Sequence, residues 1–229
     1  MKKLTLEKRM AIKVIITGAT GMVGEGVLLE CLAHYAIEKV LIVSRKPYDL
    51  KNHKLKELII PDFLELEKSE SQLAGYDACF FCAGISSVGM KEDAFSRITY
   101  DTTLHFAKTL VKLNPNMVFI YVSGQGTDSS ENGKVMWARV KGKTENALMQ
   151  LPFRAVYNFR PGLMNSSPGQ KNIKPVFKIV IALYPLLARI FPNNSSTLKE
   201  VGLAMINSVI KGYEKPIVEI KDIKLLAKK

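Results

Sequence analysis

A glycine-rich loop near the start of the chain narrows the folds that this sequence can adopt more than any other feature. The loop runs from Thr17 to Gly24, directly after a short β-branched run and at the start of a helical pattern. In such a strand-loop-helix unit, Gly18 permits the tight turn, Gly21 lets a pyrophosphate approach the backbone, and Gly24 lets the helix pack closely on the strand. The N-terminus of the helix favours negative charge, so the loop predicts a dinucleotide-binding site.

Apolar runs alternate with helical patterns along the first two thirds of the chain. Buried strands are predicted at residues 13–17, 40–43, 58–60, 78–83, 117–122 and 155–159. Helices are predicted at residues 22–33, 94–113 and 134–150. Continuous apolar strands that are separated by helices indicate a parallel sheet covered on both faces. We therefore expect an α/β doubly wound parallel sheet, a Rossmann fold with strand order 3-2-1-4-5-6.

The pattern changes to loops and helices from about Asn165. The elements predicted there are a helix over residues 174–191 bent at Pro185, a helix from Ser196 or Thr197 to Lys211, and a last strand at residues 217–220. No repeat or linker divides the 229 residues. We therefore expect a single NAD(P)-binding domain over residues 1–229, with residues 164–229 as a small helical lid and C-terminal extension.

Composition excludes a disordered chain and leaves the partner open. Hydrophobic residues make up 47% of the chain and charged residues 24%, which is the balance of a globular protein. The net charge of +12 suits anionic ligands, nucleic acid or a membrane surface without choosing among them. Because the basic residues are spread along the chain and form no RNA- or DNA-binding motif, no specific nucleic-acid partner is expected.

Cysteine and histidine usage argues against redox and metal chemistry. Cys79 and Cys82 form a C-x-x-C inside an apolar run, and Cys31 leaves an odd count. We interpret the C-x-x-C as buried thiols in a strand rather than a redox pair. The three histidines are scattered and complete no zinc motif, so no metal site is expected.

Two segments bear on the cellular compartment. Residues 1–10 carry several charges and no apolar core, so they do not resemble a signal peptide. Residues 176–191 are the most apolar stretch, but Lys178, Pro185 and Arg189 interrupt them, and the stretch is too short and too charged to span a bilayer. We expect a cytoplasmic protein without a transmembrane segment. For the apolar helix, a lid over a ligand site is favoured over attachment to a membrane surface.

The residues after the second predicted strand indicate which nicotinamide cofactor the loop selects. Sites that prefer NAD place an acidic residue about 20 residues beyond the glycines, where it binds the ribose hydroxyls. In this chain that position falls on Ser44-Arg45-Lys46, which holds no carboxylate. A guanidinium and an ammonium can instead pair with a 2′-phosphate, so NADP is predicted in preference to NAD. The alternative is that Arg45 and Lys46 are solvated members of a basic surface.

Five segments, taken in order, resemble the short-chain dehydrogenase/reductase superfamily. They are the Thr17–Gly24 loop, Cys82-Ala83-Gly84, Tyr121-Val122-Ser123, the run from Arg139 to Glu145, and Arg160-Pro161-Gly162. The chain is most similar to the extended or atypical branch of NAD(P)-binding, epimerase/dehydratase-like proteins, and within it to the TIP30-like (HIV Tat-interacting-protein-like) group. The resemblance covers nearly the whole chain, from Lys13 to about Ile220.

The resemblance implies cofactor contacts at three further segments. Cys82-Ala83-Gly84 would lie beside a ribose, Asp62-Phe63 would approach the adenine, and Pro161-Gly162-Leu163 would border the nicotinamide. The glycine loop, the basic pair and a lysine at position 141 complete the set. The expected cofactor-binding residues are Gly18, Thr20, Gly21, Met22, Val23, Gly24, Arg45, Lys46, Asp62, Phe63, Cys82, Ala83, Gly84, Lys141, Pro161, Gly162 and Leu163.

The resemblance also implies a catalytic serine, tyrosine and lysine, the last two as Tyr-x-x-x-Lys on one helix face. In that set the lysine depresses the phenol's pKa and the phenol exchanges a proton with the substrate. In this chain Lys141 is present, but Trp137 stands where the tyrosine belongs. An indole N–H donates a hydrogen bond but is not a proton acid or base near neutral pH. Ser123 matches the serine, and Gly124 follows where relatives often have a second one.

Candidate replacements for the missing groups are few. Thr127 could replace the second serine, and Tyr100, Tyr121 or Tyr157 could supply a phenol, although none of these tyrosines has a lysine four residues on. Three hypotheses follow. The chain is an NADP-dependent oxidoreductase that reduces a small carbonyl substrate, a non-catalytic NADP(H)-binding regulatory or scaffold protein, or a peripheral membrane protein. We expect a monomer or a homodimer, and no motif identifies the substrate.

Overall fold

A computed structural model describes residues 11–173 and 175–228, and its centre is a seven-stranded parallel sheet. The strands of this sheet are β1 (Ile12–Thr17), β2 (Ile37–Ser44), β3 (Leu55–Ile59), β4 (Ala78–Phe81), β5 (Val118–Val122), β6 (Ala155–Phe159) and a final strand, Ile217–Val218. Two further strands, β7 (Leu163–Asn165) and β8 (Ser195–Thr197), form a small parallel sheet, so the final strand is β9. The main sheet has the order β3-β2-β1-β4-β5-β6-β9. This order confirms the predicted Rossmann topology and adds a seventh strand beside the sixth.

Eight α-helices accompany these strands in the described part of the chain. They are α1 (Met22–Ala33), α2 (Glu70–Leu73), α3 (Glu92–Ser96), α4 (Thr102–Leu113), α5 (Met136–Met149), α6 (Pro175–Ile190), α7 (Leu198–Lys211) and α8 (Ile220–Ala227). The single helix predicted at residues 94–113 is present as α3 and α4 joined by a π-helical turn, Arg97–Asp101. Helix α1 has the predicted bounds, and α5 is shorter than its prediction by two residues at its start and one at its end.

Helices cover both faces of the sheet. Successive residues of a strand point to opposite faces, so each strand contributes side chains to both buried layers. In β1, Val14 and Ile16 belong to one buried cluster, together with residues of α1, α7 and α8. Ile15, between them, belongs to the other buried cluster, together with residues of α4 and α5. Both faces are therefore dry, and this explains why the strands appear as continuous apolar runs in the sequence.

Part of the C-terminal region, namely α7, α8 and β9, is built into the main layers of the fold. Helix α7 begins at a capping box in which Thr197 Oγ1 accepts from Glu200 N. The helix then packs so closely on α1 that a Cβ at Gly26 would lie 2.8 Å from the Leu198 Cβ. The strand predicted at residues 217–220 ends at Val218, because a second capping box at Glu219 starts α8.

Helix α6 contacts the small β7–β8 sheet and contains Pro185, as predicted. Its predicted first residue, Lys174, and the N-terminal residues 1–10 lie outside the described residues. In the second half of α6 and just beyond it, Leu183, Leu186, Ile190 and Phe191 are each at least half exposed. Within the described ranges, no helix combines the length and the apolar character needed to cross a membrane.

Candidate functional site

The glycine loop joins β1, α1 and the end of β4 by direct backbone contact. Gly18 has a φ of +74°, and a Cβ at this position would lie 2.6 Å from Ala83 N. A Cβ at Gly24 would lie 2.2 Å from Gly18 O, so a side chain there would force α1 away from the loop. Thr17 Oγ1 also accepts a hydrogen bond from Ala83 N at 3.2 Å. The turn and the close helix packing therefore have the geometry predicted for them.

The first turn of α1 leaves room for an anion. Its N-cap, Gly21, provides no side-chain hydrogen bond, so the amides of the first turn are not capped by a side chain. Thr20 and Gly21 are exposed, and Met22 and Val23 are half-buried. Around a Cβ placed on Gly84, at the neighbouring end of β4, no atom lies within 4 Å. Uncapped amides at a helix N-terminus, beside open space, fit a phosphate group.

The predicted basic pair lies at the end of β2. Ser44 is buried and its Oγ donates to Lys46 O at 2.8 Å, which fixes the turn after the strand. Arg45 and Lys46 are exposed on this turn. The predicted adenine-side residues divide in two: Asp62 is exposed and accepts from Leu64 N at 2.9 Å, whereas the ring of Phe63 is buried. The Phe63 ring packs on a core phenylalanine, so it serves mainly as a core residue.

The thiols of the C-x-x-C are packing groups. Cys79 is fully buried in β4 and Cys82 is half-buried just after it, and both are free. Burial raises the pKa of Cys82 to about 12, and burial also raises the pKa of Cys79. Thiols that stay protonated at neutral pH are poor nucleophiles. The interpretation as buried strand thiols therefore holds for Cys79, whereas Cys82 lies one residue beyond β4 and is half-buried.

The predicted catalytic lysine is held at the end of β5. Lys141 projects from α5 and its Nζ donates to Ser123 O at 2.7 Å, with Val122 O at 3.4 Å. The same Nζ lies 5.6 Å from the centre of the Tyr121 ring. Burial lowers the pKa of Lys141 to about 8, and the nearby Glu145 partly offsets that effect. The ammonium group is therefore well placed and loses its proton more easily than an exposed lysine.

The hydroxyl of Ser123 is already committed to a buried network. Its Oγ donates to Glu145 Oε1 at 2.5 Å, and Phe159 O lies 3.2 Å away. The Glu145 carboxylate is fully buried and pairs with Arg160, which donates from Nε at 3.0 Å and from Nη2 at 2.5 Å. No role was predicted for Glu145 or Arg160 from the sequence. The available signal was a lone arginine that directly follows a buried strand.

Trp137 lies in the first turn of α5, opposite the loop that follows β5. Its Cη2 is 3.7 Å from the position of a Cβ at Gly126, where φ is +85°. In the same loop Thr127 Oγ1 donates to Gly124 O at 2.7 Å, so the candidate replacement hydroxyl braces the loop. The indole therefore lies over the glycine-rich loop.

The three candidate phenols are used elsewhere. Tyr121 is buried beneath Lys141, and burial raises its pKa. The hydroxyl of Tyr157 accepts from Tyr213 N at 2.9 Å. The ring of Tyr100 lies 4.8 Å from the Lys143 ammonium. None of the three stands one turn before Lys141, where the resemblance implies a tyrosine.

The segment after β6 closes against the loop after β5. Pro161 O accepts from Gln125 N at 3.0 Å. A Cβ at Gly162 would lie 2.5 Å from both Gln125 Oε1 and Asn194 O, so only glycine fits there. Leu163 then begins β7. The predicted nicotinamide-side segment therefore lies beside the loop that carries Ser123.

The described residues contain no group of three or more His, Cys, Asp or Glu side chains that could hold a metal ion.

Sequence comparison places these features in a family. The profile of the NAD dependent epimerase/dehydratase family matches residues 14–134. Protein HTATIP2 of Rattus norvegicus is 29% identical over 166 residues, which span 69% of this chain and 66% of that protein. Protein FMP52-2, mitochondrial, of Scheffersomyces stipitis is 27% identical and covers 96% of this chain and 100% of that protein. The predicted similarity to epimerase/dehydratase-like short-chain dehydrogenases and to the TIP30-like group is confirmed.

Solved structures share the fold at low sequence identity. The ADP-L-glycero-D-manno-heptose-6-epimerase of Helicobacter pylori superimposes with a TM-score of 0.68 at 13% identity, covering 99% of this chain and 83% of that one. The Bordetella bronchiseptica enzyme WbmF, in complex with NAD⁺, gives a TM-score of 0.64 at 15% identity and covers 96% and 78%. These likenesses support the sheet topology described above.

The relatives overturn one expectation. We predicted a cytoplasmic protein from the charged N-terminal residues 1–10, which lie outside the described structure. The FMP52-2 relative and four other fungal relatives carry mitochondrial names. The cytoplasmic prediction is therefore wrong. A compartment is set by targeting machinery, and the absence of a secretory signal does not separate the cytoplasm from an organelle.

Proposed function

The chain belongs to the NAD dependent epimerase/dehydratase family, and from that premise we propose that it is an NADP(H)-binding protein. The observation that carries the proposal is the Gly18–Gly24 contact, which brings the uncapped first turn of α1 against the ends of β1 and β4. The pyrophosphate would be held by the amides of Met22 and Val23, since the Gly21 amide already donates to Gly18 O at 2.9 Å.

The remaining cofactor contacts follow from the same placement. The ribose next to the nicotinamide would contact Lys141, and the segment from Cys82 to Gly84 would line the cofactor beside the glycine loop. Pro161-Gly162-Leu163 would border the nicotinamide, and Asp62, with the edge of Phe63, would border the adenine. When bound, NADPH would supply a hydride.

The preference for NADP over NAD rests on charge. Arg45 and Lys46 are exposed at the end of β2, and Ser44, before them, is neutral. A 2′-phosphate could pair with both cations, and Arg45 could bind it through two parallel hydrogen bonds. The neighbouring WbmF structure holds NAD⁺, so the 2′-phosphate preference is a property proposed for this chain alone.

The site lacks the superfamily's proton donor, which favours binding without turnover. Trp137 occupies the tyrosine position, and the Ser123 hydroxyl donates to the buried Glu145. A reductase of a small carbonyl compound is the second candidate, because the Lys141 ammonium is retained and its pKa is lowered to about 8. In that role Lys141 would hold the ribose of the bound cofactor, and water would supply the proton that the carbonyl oxygen takes up.

The first experiment is a fluorescence titration of the purified protein with NADPH and with NADH. We expect NADPH to bind at least tenfold more tightly, and Arg45→Gln to remove most of that preference. The matched control is Lys51→Gln, which removes an exposed charge further along the same connection. If the folded protein binds neither nucleotide, the proposed function is wrong. If it binds both equally, the NADP preference is wrong.

The second experiment separates the two candidates. Oxidation of NADPH is followed with a panel of small aldehydes and ketones, using the wild type, Trp137→Tyr and Lys141→Met. Turnover that appears only in Trp137→Tyr supports a binding protein, because the added phenol restores the missing proton donor. Turnover in the wild type that disappears in Lys141→Met supports the reductase.

Sedimentation of the same samples tests the monomer or homodimer prediction, and fractionation of cells tests the mitochondrial location that the fungal relatives' names suggest.

A further inference from the structure

A buried carboxylate, Glu25, lies at the N-terminal turn of α1 and is 1% exposed. Its Oε2 accepts from Asn172 N at 2.7 Å and from Lys171 N at 3.0 Å. Its Oε1 accepts from Lys171 N and Asn172 Nδ2, both at 3.0 Å, and from Tyr48 OH at 2.9 Å. A buried carboxylate is stable only where such donors replace water. Both oxygens of Glu25 therefore have partners.

The donors come from two segments that are distant in sequence. One is the 167–172 segment, which follows β7 and is also fixed by Gln170, whose Nε2 donates to Met22 O at 2.7 Å. The other is the turn that carries Tyr48 and follows the basic pair after β2. Glu25 therefore ties both segments to the helix turn that begins at Met22.

The turn after β2 is fastened at both of its ends. Ser44 Oγ donates to Lys46 O at its start, and Tyr48 N donates to Glu57 Oε1 at 2.7 Å. The Tyr48 hydroxyl adds the contact to Glu25, and burial together with Glu25 raises the pKa of that phenol, which keeps it a donor. This hydrogen bond therefore joins the turn that carries the exposed Arg45 and Lys46 to α1.

We propose that Glu25 is a positioning residue for NADP selectivity: through Tyr48 it holds the Arg45–Lys46 turn at the distance from α1 that a 2′-phosphate requires. This inference rests on the proposed NADP(H) site. Glu25 does not touch the cofactor itself. Its effect is on the choice between NADPH and NADH, because the two nucleotides differ only at the 2′-phosphate that the turn would bind.

The test compares NADPH and NADH dissociation constants in the full chain for the wild type, Tyr48→Phe and Glu25→Gln. Tyr48→Phe removes one hydroxyl and leaves the contacts between Glu25 and the 167–172 segment in place. In Tyr48→Phe we expect NADPH to bind about tenfold more weakly and the NADH affinity to change less than twofold. The size of this change corresponds to the loss of one hydrogen bond to a charged group. Matched controls are Tyr35→Phe and Glu38→Gln, both exposed, which should leave the ratio of the two constants unchanged.

If Glu25 and Tyr48 had only a structural role, Tyr48→Phe would weaken the binding of NADPH and NADH equally. That result would overturn the proposal. An unchanged ratio in Tyr48→Phe would overturn it as well. Amide hydrogen exchange gives a readout that needs no nucleotide: in Glu25→Gln the amides of Lys171 and Asn172 should lose protection, because an amide side chain offers only one acceptor oxygen. If the wild type binds neither nucleotide, the proposed function and the selectivity role are both wrong. If the amides of Lys171 and Asn172 keep their protection from exchange in Glu25→Gln, the contacts between Glu25 and these amides are refuted.

Discussion

Neutralising Glu145 should be among the most damaging single changes that can be made near the candidate site. The Glu145 side chain is fully buried and that of Arg160 is 10% exposed, and the two are joined by two hydrogen bonds. In Glu145→Gln the guanidinium keeps its charge and loses the carboxylate, while the new NH₂ group faces an arginine that can only donate. The cost is therefore that of leaving a largely buried charge without its buried counter-ion.

The size of the effect follows from the contacts that remain. Removing one partner of a buried pair costs about 3–5 kcal/mol. Arg160 keeps Glu219 at 3.3 Å and the Ser129 hydroxyl at 2.5 Å, so the lower end of that range applies. We expect a loss of about 3 kcal/mol in the free energy of unfolding. For a chain of this length, that corresponds to a fall in Tm of about 6–12 °C.

Urea unfolding followed by circular dichroism measures this loss, with thermal unfolding as a second probe. The matched control is Glu92→Gln, which breaks the Arg139–Glu92 pair, whose side chains are 25% and 48% exposed. That exposed pair should contribute at most about 1 kcal/mol. Equal losses in the two variants would refute the reasoning, because the argument depends on the burial of the charge that is left behind.

Three further predictions concern other parts of the structure. Gly24→Ala should abolish nucleotide binding and cost about 2 kcal/mol, measured by titration and urea unfolding, because its Cβ would lie 2.2 Å from Gly18 O. Asn114→Ala should cost about 3 kcal/mol in urea unfolding, because its buried Oδ1 accepts from two backbone amides that would lose their partner. The pKa of Lys141 is about 8 in the native state and 10.5 in the unfolded chain. Between these two pH values the unfolded chain binds more protons than the native protein, so the contribution of Lys141 to the free energy of unfolding rises with pH. The unfolding free energy of the wild type, minus that of Lys141→Met, should therefore rise by about 1 kcal/mol from about pH 8 to about pH 9.

Each of these predictions has its own control. Gly84→Ala should leave stability unchanged, because nothing lies within 4 Å of its Cβ, and a similar loss there would contradict the steric argument at Gly24. Asn132→Ala, at an exposed position, should change stability by less than about 0.5 kcal/mol. A difference between wild type and Lys141→Met that stays flat with pH would show that the lysine is not perturbed in the native state.

The sequence predicted the parts of the fold that depend on local pattern. Helix α1 has its predicted bounds because apolar residues at helical spacing follow a glycine turn. Strand β6, Ala155–Phe159, also has its predicted bounds, because it is buried on both faces and ends at Arg160-Pro161. The π-helical turn at Arg97–Asp101 was not predicted, because one extra residue in a helix hardly alters the apolar spacing.

The parts that were missed depend on contacts between distant residues. Glu25 in the sequence looks like an ordinary acidic residue in a first helical turn, and its partners lie 23 and 146–147 positions away. Ser123 was expected to face a substrate, but its hydroxyl is bound by Glu145, 22 residues later. The positions of the glycines could be interpreted without the structure because close backbone approach has one local solution, whereas a buried carboxylate can be satisfied in many ways.

The position of β9 beside β6 also constrains how the chain reaches this fold during synthesis. The six strands from β3 to β6 can pair as soon as residue 159 has left the ribosome, but the outer edge of β6 then has no neighbour. Helix α1 covers part of the sheet face that includes Val14 and Ile16, and the rest of that face lacks its cover until α7 and α8 have been made. An open sheet edge beside an uncovered apolar face is the surface through which nascent chains aggregate. We therefore expect a nascent chain that ends before α7 to be prone to aggregation.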